Sequence, residues 1–136
     1  MITAVDTNVL FDIVGGDRIF GPGSRGALRQ ALNQGALVAC PIVWAEFGAA
    51  YSRLEDADEA LARLGIAFDP IEARAASVAG MTWRAHRRSG GTRSRIISDF
   101  LIGAHARAKA DRLLTRDRGF YRTYFSDLTI LDPSGS

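Results

Sequence analysis

Short apolar segments alternate along the chain with longer segments in which apolar residues recur at helical spacing. The short segments predict buried β-strands, because apolar runs of this length are typical of strands in a covered sheet. They cover residues 2–5, 36–40, 66–68, 112–115 and 128–131. Strands that alternate with helices predict an α/β fold, in which helices cover both faces of a parallel sheet.

Polar and proline residues mark the expected helix starts between these strands. Residues 8–14 predict a helical turn, which Gly15 and Gly16 close. The other predicted starts are Ser24 as an N-cap, Pro41 before IVWAEFGAAYSR, Asp56 with Glu59 as a capping box, residues 69–72, and Ser98 as an N-cap. No helix is predicted between the strand at 112–115 and the strand at 128–131.

The length of 136 residues predicts a single domain over 1–136, with a core large enough to fold without disulfides or a structural metal. Apolar residues make up 47% and charged residues 24%, which argues against disorder and coiled coil. Cys40 is the only cysteine, so an internal disulfide is excluded and a cytoplasmic location is expected. No apolar run predicts a membrane span, and the N-terminal segment lacks the basic leader of a signal peptide.

Arginine supplies almost all of the positive charge. Seventeen basic residues, sixteen of them arginine, face fifteen acidic residues, for a net charge of +2. Five arginines fall within residues 84–95, where serine, glycine and threonine separate them, and this arginine segment predicts a basic loop after a helix. The arginine content fits either a GC-rich coding bias or a surface that binds phosphate, whose geometry guanidinium groups match.

Four acidic residues stand either alone in apolar stretches or just beyond a predicted strand. They are Asp6, Glu46, Asp99 and Asp117. An unpaired carboxylate in apolar surroundings is costly unless it is exposed, neutralised or paired with a cation. Taken singly, each also has a structural interpretation, as a helix cap, an exposed helix position, a first-turn acid or a turn residue.

The topology predicts that these four carboxylates converge. In a doubly wound sheet the first and fourth strands are neighbours, so Asp6 and Asp117 follow adjacent strands at the edge where ligands bind. The helix before the fourth strand delivers Asp99 to that edge, and the helix after the second strand delivers Glu46. Four carboxylates repel one another unless a hard cation lies among them, and oxygen ligands suit Mg²⁺ or Mn²⁺. The other residues carry 17 basic against 11 acidic side chains, which favours metal-dependent cleavage of a phosphodiester.

The sequence resembles the PIN-domain ribonucleases over essentially the whole chain, and within them the VapC-type toxins of bacterial toxin–antitoxin pairs. The residues that carry the resemblance are DTN at 6–8, VWAEF at 43–47, RIISDFLIGAHA at 95–106, LLTRDRGF at 113–120 and LDP at 131–133. The first four segments are similar to those that carry the family's acidic residues. Gly119 departs from the pattern, because some relatives carry a further acid there.

The resemblance implies a PIN-like three-layer α/β/α fold with a short parallel sheet of four to five strands. It implies an endoribonuclease that uses Mg²⁺ or Mn²⁺ and attacks the RNA phosphodiester in line with a water that the metal activates. It also implies a homodimer and a cognate antitoxin protein that covers the acidic centre.

The resemblance also assigns roles to single residues. Asp6 and Asp99 are expected as direct metal ligands, whereas Asp117 and Glu46 are expected to close the site or hold waters. The polar neighbours expected to orient these carboxylates are Thr7, Asn8 and Thr115. For Thr7 and Asn8, local capping of the backbone is an equally good interpretation.

The arginine segment is expected to hold the RNA backbone. The residues assigned to it are Arg87, Arg88, Arg93 and Arg95, and the alternative interpretation is a solvated charged turn. Tyr121 and Tyr124, like the two tryptophans, fit either stacking on bases or, more simply, packing in the core. His105 falls on the apolar side of its predicted helix, which favours a packed histidine over a general base.

Three other function classes compete with this prediction. A receiver-like phosphoacceptor requires a lysine beyond a late strand, but Lys109 precedes that strand. A phosphatase with an aspartate nucleophile requires a second carboxylate two residues after the first, and Asn8 stands there. A non-catalytic RNA-binding module with a PIN-like fold stays as the alternative, although the presence of all four acids disfavours it.

Overall fold

Five short strands form one parallel sheet in the computed structural model, which describes residues 1–91 and 95–134. The strands are β1 (Ile2–Val5), β2 (Ala36–Ala39), β3 (Ile66–Phe68), β4 (Arg112–Leu114) and β5 (Ile130–Leu131). Their order is β3-β2-β1-β4-β5, and each neighbouring pair is parallel. This is the doubly wound order that the sequence predicts, with β1 between β2 and β4.

Helices flank the sheet. Those of the described residues are α1 (Thr7–Val14), α2 (Gly21–Gln34), α3 (Pro41–Gly48), α4 (Leu54–Arg63), α5 (Ala73–Arg88), α6 (Ile97–Lys109) and α7 (Arg118–Tyr124). The arrangement is the predicted three-layer α/β/α fold with a five-stranded parallel sheet, and it confirms the fold class. Within residues 1–91 and 95–134, no helix combines the length and apolar character that crossing a membrane requires.

Helix α2 begins before Ser24, the cap that the sequence predicts. The carboxylate of Asp17 turns the chain into the helix, because its Oδ1 accepts the N–H groups of Ile19 and Phe20 at 2.9 and 2.8 Å. Ser24 therefore lies inside α2, where it is buried and donates a hydrogen bond of 2.8 Å to Oδ2 of Asp12. The predicted cap was wrong because the turn at Asp17 already starts the helix.

The predicted caps of α4 and α6 also lie inside their helices. Helix α4 begins at Leu54, so Asp56 lies in the first turn, where its charge still favours the helix dipole. Helix α6 begins at Ile97, so Ser98 is its second residue. The carboxylate of Asp99 reaches back instead and accepts the N–H of Ile96 at 3.1 Å.

Helix α7 occupies a segment for which the sequence predicts no helix. It has seven residues, too few for propensity alone to stabilise a helix. Its Phe120 and Tyr121 side chains are buried, so tertiary packing stabilises it instead. Helix α3 is shorter than predicted, since it ends at Gly48 and the predicted helix continued to residue 53.

Backbone hydrogen bonds bring the carboxyl ends of β1 and β4 together. Val5 is the register partner of Leu114, and the N–H of Asp6 donates to the carbonyl of Leu114 at 3.0 Å. The N–H of Thr115 donates to the carbonyl of Leu131 at 3.1 Å, which joins β5 to the same edge. The side chains that follow β1 and β4 are therefore neighbours in space, although more than one hundred residues separate them in sequence.

Candidate active site

The carboxylate of Asp6 is the centre of the candidate site. It is 6% exposed and caps the N-terminus of α1, where its Oδ1 accepts the N–H of Thr7 at 2.7 Å. Its Oδ2 accepts three side-chain donors. They are Thr115 Oγ1 at 2.7 Å, Tyr121 OH at 3.2 Å and Asn8 Nδ2 at 3.3 Å. These contacts fix the orientation of the carboxylate and leave Oδ1 with fewer described partners than Oδ2.

Burial raises the pKa of Asp6 from its ordinary value of 3.8 to about 6. The hydrogen bonds from Thr115, Thr7 and Tyr121 act in the opposite direction, because each stabilises the charged form, and the charge of Glu46 raises the pKa further. The charged form of Asp6 is therefore less favourable in the folded protein than in water, and a cation next to Asp6 would stabilise it.

Thr7 connects Asp6 to the second predicted acid. Its N–H binds Asp6, and its Oγ1 donates a hydrogen bond of 2.7 Å to Oε1 of Glu46. Glu46 is exposed on α3, in the helix that follows β2. The Thr7 hydroxyl thus links the start of α1 to α3 and holds Glu46 beside Asp6, whereas the cap of α1 is the carboxylate of Asp6.

Asp99 and Asp117 face the same region from α6 and α7. Asp99 lies in the first turn of α6, and Asp117 is the residue that precedes α7. The N–H of Asp117 donates to Thr115 Oγ1 at 3.0 Å, so Thr115 contacts both Asp6 and Asp117. Burial raises the pKa of the Tyr121 hydroxyl well above its ordinary value, and the charges of Asp6, Asp99 and Asp117 raise it further. These three carboxylates therefore act on one buried phenol.

Arg95 binds Asp117 within this acidic region. Its Nη1 lies 2.5 Å from Oδ2 of Asp117, and its Nη2 donates to Oδ1 at 3.1 Å. The guanidinium carbon lies 4.4 Å from the centre of the Phe120 ring. Arg95, which the sequence assigns to RNA binding, is therefore part of the acidic site in this structure.

The donor set fits a hard divalent cation by its chemistry, since it consists of carboxylate oxygens. Within the described residues, however, no three His, Cys, Asp or Glu side chains form a group that could hold a metal ion. Asp117 is engaged by Arg95, and Asp99 accepts a hydrogen bond from the backbone of its own helix. The structure thus brings the four acids to one edge of the sheet, and their binding to a common ion stays a prediction.

Asp12 is a second buried carboxylate, and the sequence does not predict its structural role. Its Oδ2 accepts hydrogen bonds from Arg116 Nε at 2.7 Å and from Ser24 Oγ at 2.8 Å. Arg116 Nη2 donates to Oδ1 at 3.1 Å, and the Arg116 backbone N–H donates to Oδ1 of Asn8 at 3.2 Å. Asp12 is fully paired, so it supports the loop after β4 and contributes no ligand to the site.

Tyr121 is the residue of the site that sequence reasoning misses. The preference for core packing over base stacking is confirmed, since its side chain is 1% exposed. Its hydroxyl nevertheless binds Asp6. Its position four residues after Asp117 would be a sequence signal only if the short helix α7 were predicted, and it is not. His105 is packed, as expected, and binds Asp69 through Nε2 at 2.7 Å.

Three arginines at the end of α5 form an exposed basic surface. Arg84, Arg87 and Arg88 line a cavity of about 400 Å³. The guanidinium carbon of Arg87 lies 4.9 Å from the centre of the Trp83 ring. Among the ion pairs of the described residues, none involves these three arginines. Arg93, the fourth residue of the predicted RNA contact, lies outside the described residues.

The family model of the PIN domain matches residues 3–126 of the chain. No curated protein matches the sequence. Chains in several solved structures share its fold at low sequence identity. The structure of VapBC2 from Rickettsia felis bound to a DNA fragment from their promoter contains a chain with a TM-score of 0.75 and 18% identity, and the match covers 97% of this chain and 98% of that one.

Two further structures give similar values. A chain of VapBC-1 from nontypeable Haemophilus influenzae has a TM-score of 0.74 and 19% identity, with 98% of this chain and 99% of that one covered. A chain of DNA-bound VapBC from Salmonella typhimurium has a TM-score of 0.67 and 17% identity, with 98% of both chains covered. At these identities the likeness concerns the fold.

Proposed function

The chain belongs to the PIN domain family, and from this premise we propose that it is a metal-dependent endoribonuclease, the toxin of a toxin–antitoxin pair. The observation that supports this most directly is the buried carboxylate of Asp6, whose pKa is raised to about 6 at the carboxyl edge of the sheet. Such a group is poorly suited to stand alone and well suited to bind a cation. The neighbouring acids give the site the negative charge that a divalent ion requires.

Asp6, Asp99 and Asp117 would hold the ion, Mg²⁺ or Mn²⁺, and Glu46 would close the site beside Asp6. When bound, the ion supplies Lewis-acid chemistry, since it lowers the pKa of water and offsets charge on the phosphate and the leaving oxygen. The chain itself supplies the orientation. The Thr115 hydroxyl donates to the carboxylate of Asp6 and accepts the backbone N–H of Asp117, so it orients Asp6 and ties the start of α7 to it.

The side-chain donors around Asp6 keep one of its oxygens available. Thr115, Tyr121 and Asn8 all donate to Oδ2, while Oδ1 accepts the N–H of Thr7. This pattern fixes the carboxylate plane and directs Oδ1 to the ligand. Asn8 is itself held by the N–H of Arg116, so the loops after β1 and β4 form one supported unit.

The exposed arginines at the end of α5 would bind the RNA backbone. Arg84, Arg87 and Arg88 point into one cavity, and guanidinium groups match phosphate geometry. His86, on the same helix turn, contacts Tyr124 of α7, the helix that begins after Asp117. This contact packs the arginine-bearing end of α5 against α7.

We also propose a homodimer and a small antitoxin partner that covers the acidic edge. The three solved structures described above are of VapBC, which supports a partner of this kind. Expression of this chain alone should then arrest bacterial growth, and co-expression with its genomic neighbour should restore growth.

The decisive experiment is an incubation of the purified chain with total RNA in Mg²⁺, in Mn²⁺ or in a chelator, followed by mapping of the new RNA ends. We expect defined ends in the presence of either ion and none in the chelator. Asp6→Asn should abolish cleavage, whereas Asp58→Asn, which removes an exposed carboxylate of α4, should cleave as the parent does.

The possible outcomes separate the two candidate functions. RNA binding without cleavage under all ionic conditions would favour the non-catalytic RNA-binding module. Cleavage that persists in a folded Asp6→Asn protein would exclude the proposed mechanism. Circular dichroism and a thermal melt of each variant show whether it is folded.

A further inference from the structure

Arg95 is a cation that the chain itself places in the acidic site. It engages both oxygens of Asp117, with distances of 2.5 and 3.1 Å, and it lies over the face of Phe120. The hydrogen bond with Asp117 raises the pKa of Arg95, and the charge of Asp99 acts in the same direction. The guanidinium therefore interacts with two of the carboxylates that the proposed function assigns to a metal ion.

On the basis of the proposed function, we infer that Arg95 competes with the divalent cation for Asp117, so that the Arg95–Asp117 ion pair must open before Asp117 binds a metal. A carboxylate that makes two parallel hydrogen bonds to a guanidinium has its best lone pairs occupied. The same oxygens are needed for a metal ion. The resting chain is thus held in a state with reduced metal affinity.

The ion pair of Arg116 and Asp12 serves as a structural comparison, because Arg116 directly precedes Asp117 in the sequence. Arg116, which is 29% exposed, binds Asp12, whose side chain is only 5% exposed and also accepts a hydrogen bond from Ser24, so the difference between the pairs lies in the carboxylate. In contrast, the side chains of Arg95 and Asp117 are 30% and 34% exposed. Water and dissolved ions reach both partners of the Arg95–Asp117 pair, which lowers the free energy needed to separate them. The Arg95–Asp117 pair is therefore exchangeable, whereas the Arg116–Asp12 pair is structural.

The test measures Mn²⁺ affinity by isothermal titration calorimetry on the full chain without RNA or antitoxin. Arg95→Gln should bind Mn²⁺ roughly two- to fivefold more tightly than the parent, the range expected when a partly exposed ion pair is lost. Arg95→Lys keeps the charge but not the planar fork, so its affinity should be intermediate. Arg29→Gln, which removes an exposed arginine of α2, should match the parent.

Asp117 distinguishes competition from a general effect of charge. Asp117→Asn should weaken Mn²⁺ binding, and adding Arg95→Gln to that variant should give no further gain. A gain that persists without the Asp117 carboxylate would show a long-range charge effect and overturn the inference. In NMR spectra, the Arg95 Nη–H signals, which belong to the groups that bind Asp117, should be protected in the metal-free parent and lost on saturation with Mg²⁺.

Failure of the competition and failure of the proposed function give different results. Equal Mn²⁺ affinities of the parent and Arg95→Gln would overturn the competition, even when the parent cleaves RNA. Protected Nη–H signals of Arg95 that persist in saturating Mg²⁺ would do the same. If neither the parent nor Arg95→Gln binds Mn²⁺, both the competition and the metal dependence of the proposed function are excluded.

Discussion

The hydroxyl group of Tyr121 donates a hydrogen bond of 3.2 Å to Oδ2 of Asp6, a residue 115 positions away in the sequence. Both groups are buried, and the bond connects α7 to the end of β1. Because the donor stabilises the charged carboxylate, it lowers the pKa of Asp6 against the larger effect of burial. Tyr121 therefore helps to keep Asp6 ionised near neutral pH.

Replacement of Tyr121 by phenylalanine should raise the pKa of Asp6 further above about 6. The acid limb of the pH profile for RNA cleavage should move to higher pH, because less of Asp6 is ionised at any given pH. The ring remains, so we expect a loss of unfolding free energy of only about 1 kcal/mol. Tyr51→Phe, whose ring packs on Phe47, is the matched control. An acid limb that coincides with that of the parent would contradict this role.

The buried carboxylate of Asp6 should also make the free energy of unfolding depend on pH. Its pKa is about 6 in the folded protein against an ordinary value of 3.8, so the protonated form favours folding. This contribution is fully present below about pH 3.8 and is lost as the pH rises through about 6. A pKa difference of this size corresponds to roughly 3 kcal/mol.

Urea unfolding in the presence of a chelator, across the range from about pH 4 to pH 7, measures this dependence. In Asp6→Asn the contribution is absent, so the variant should lose less stability than the parent as the pH rises. Asp58→Asn should follow the parent, because it alters an exposed carboxylate on α4. If the curves of the parent and Asp6→Asn run parallel, the carboxylate is not buried as described.

The ion pair of Arg116 and Asp12 should contribute far more to stability than the pair of Arg95 and Asp117. Arg116→Met leaves the carboxylate of Asp12, 5% exposed, with Ser24 as its remaining described side-chain donor. An uncompensated buried charge of this kind costs about 3 kcal/mol or more. Arg95→Gln should cost less than about 1 kcal/mol, because its pair is partly exposed. Chemical denaturation of both variants under one condition measures the difference, and equal losses would refute it.

The sequence predicts the sheet edge correctly because the signals there are local. Apolar runs identify β1 and β4, and the doubly wound order places the residues that follow them side by side, as observed for Asp6 and Thr115. The grouping of Glu46 with Asp6 also follows from topology, since β2 is the other neighbour of β1. The topology does not predict which hydrogen-bond donor each carboxylate binds.

The side-chain partners at this edge are not readable from the sequence because they depend on packing. Arg95 lies 22 residues from Asp117, and no periodicity connects the two. Tyr121 faces Asp6 only because α7 forms, and α7 is a short helix stabilised by the burial of its aromatic residues. Packing also separates the roles of two adjacent residues. Arg116 binds the buried carboxylate of Asp12, whereas Asp117 is bound by Arg95.

The exposed arginines at the end of α5 should make RNA binding depend on salt concentration. Each guanidinium that contacts a phosphate releases counterions, so loss of one contact should reduce the slope of log K against log salt by roughly one. We expect Arg87→Gln and Arg88→Gln each to weaken binding and to lower this slope. Both are best measured in an Asp6→Asn background, where the RNA stays intact.

Arg29→Gln is the matched control for charge, because Arg29 is also exposed but lies on α2, away from the cavity that Arg84, Arg87 and Arg88 line. Its salt slope should equal that of the background protein. Fluorescence anisotropy with a labelled single-stranded RNA, repeated at several salt concentrations, gives the slopes directly. If Arg87→Gln and Arg88→Gln leave the slope unchanged, these guanidinium groups make no phosphate contact, and the RNA backbone is held by another surface of the chain.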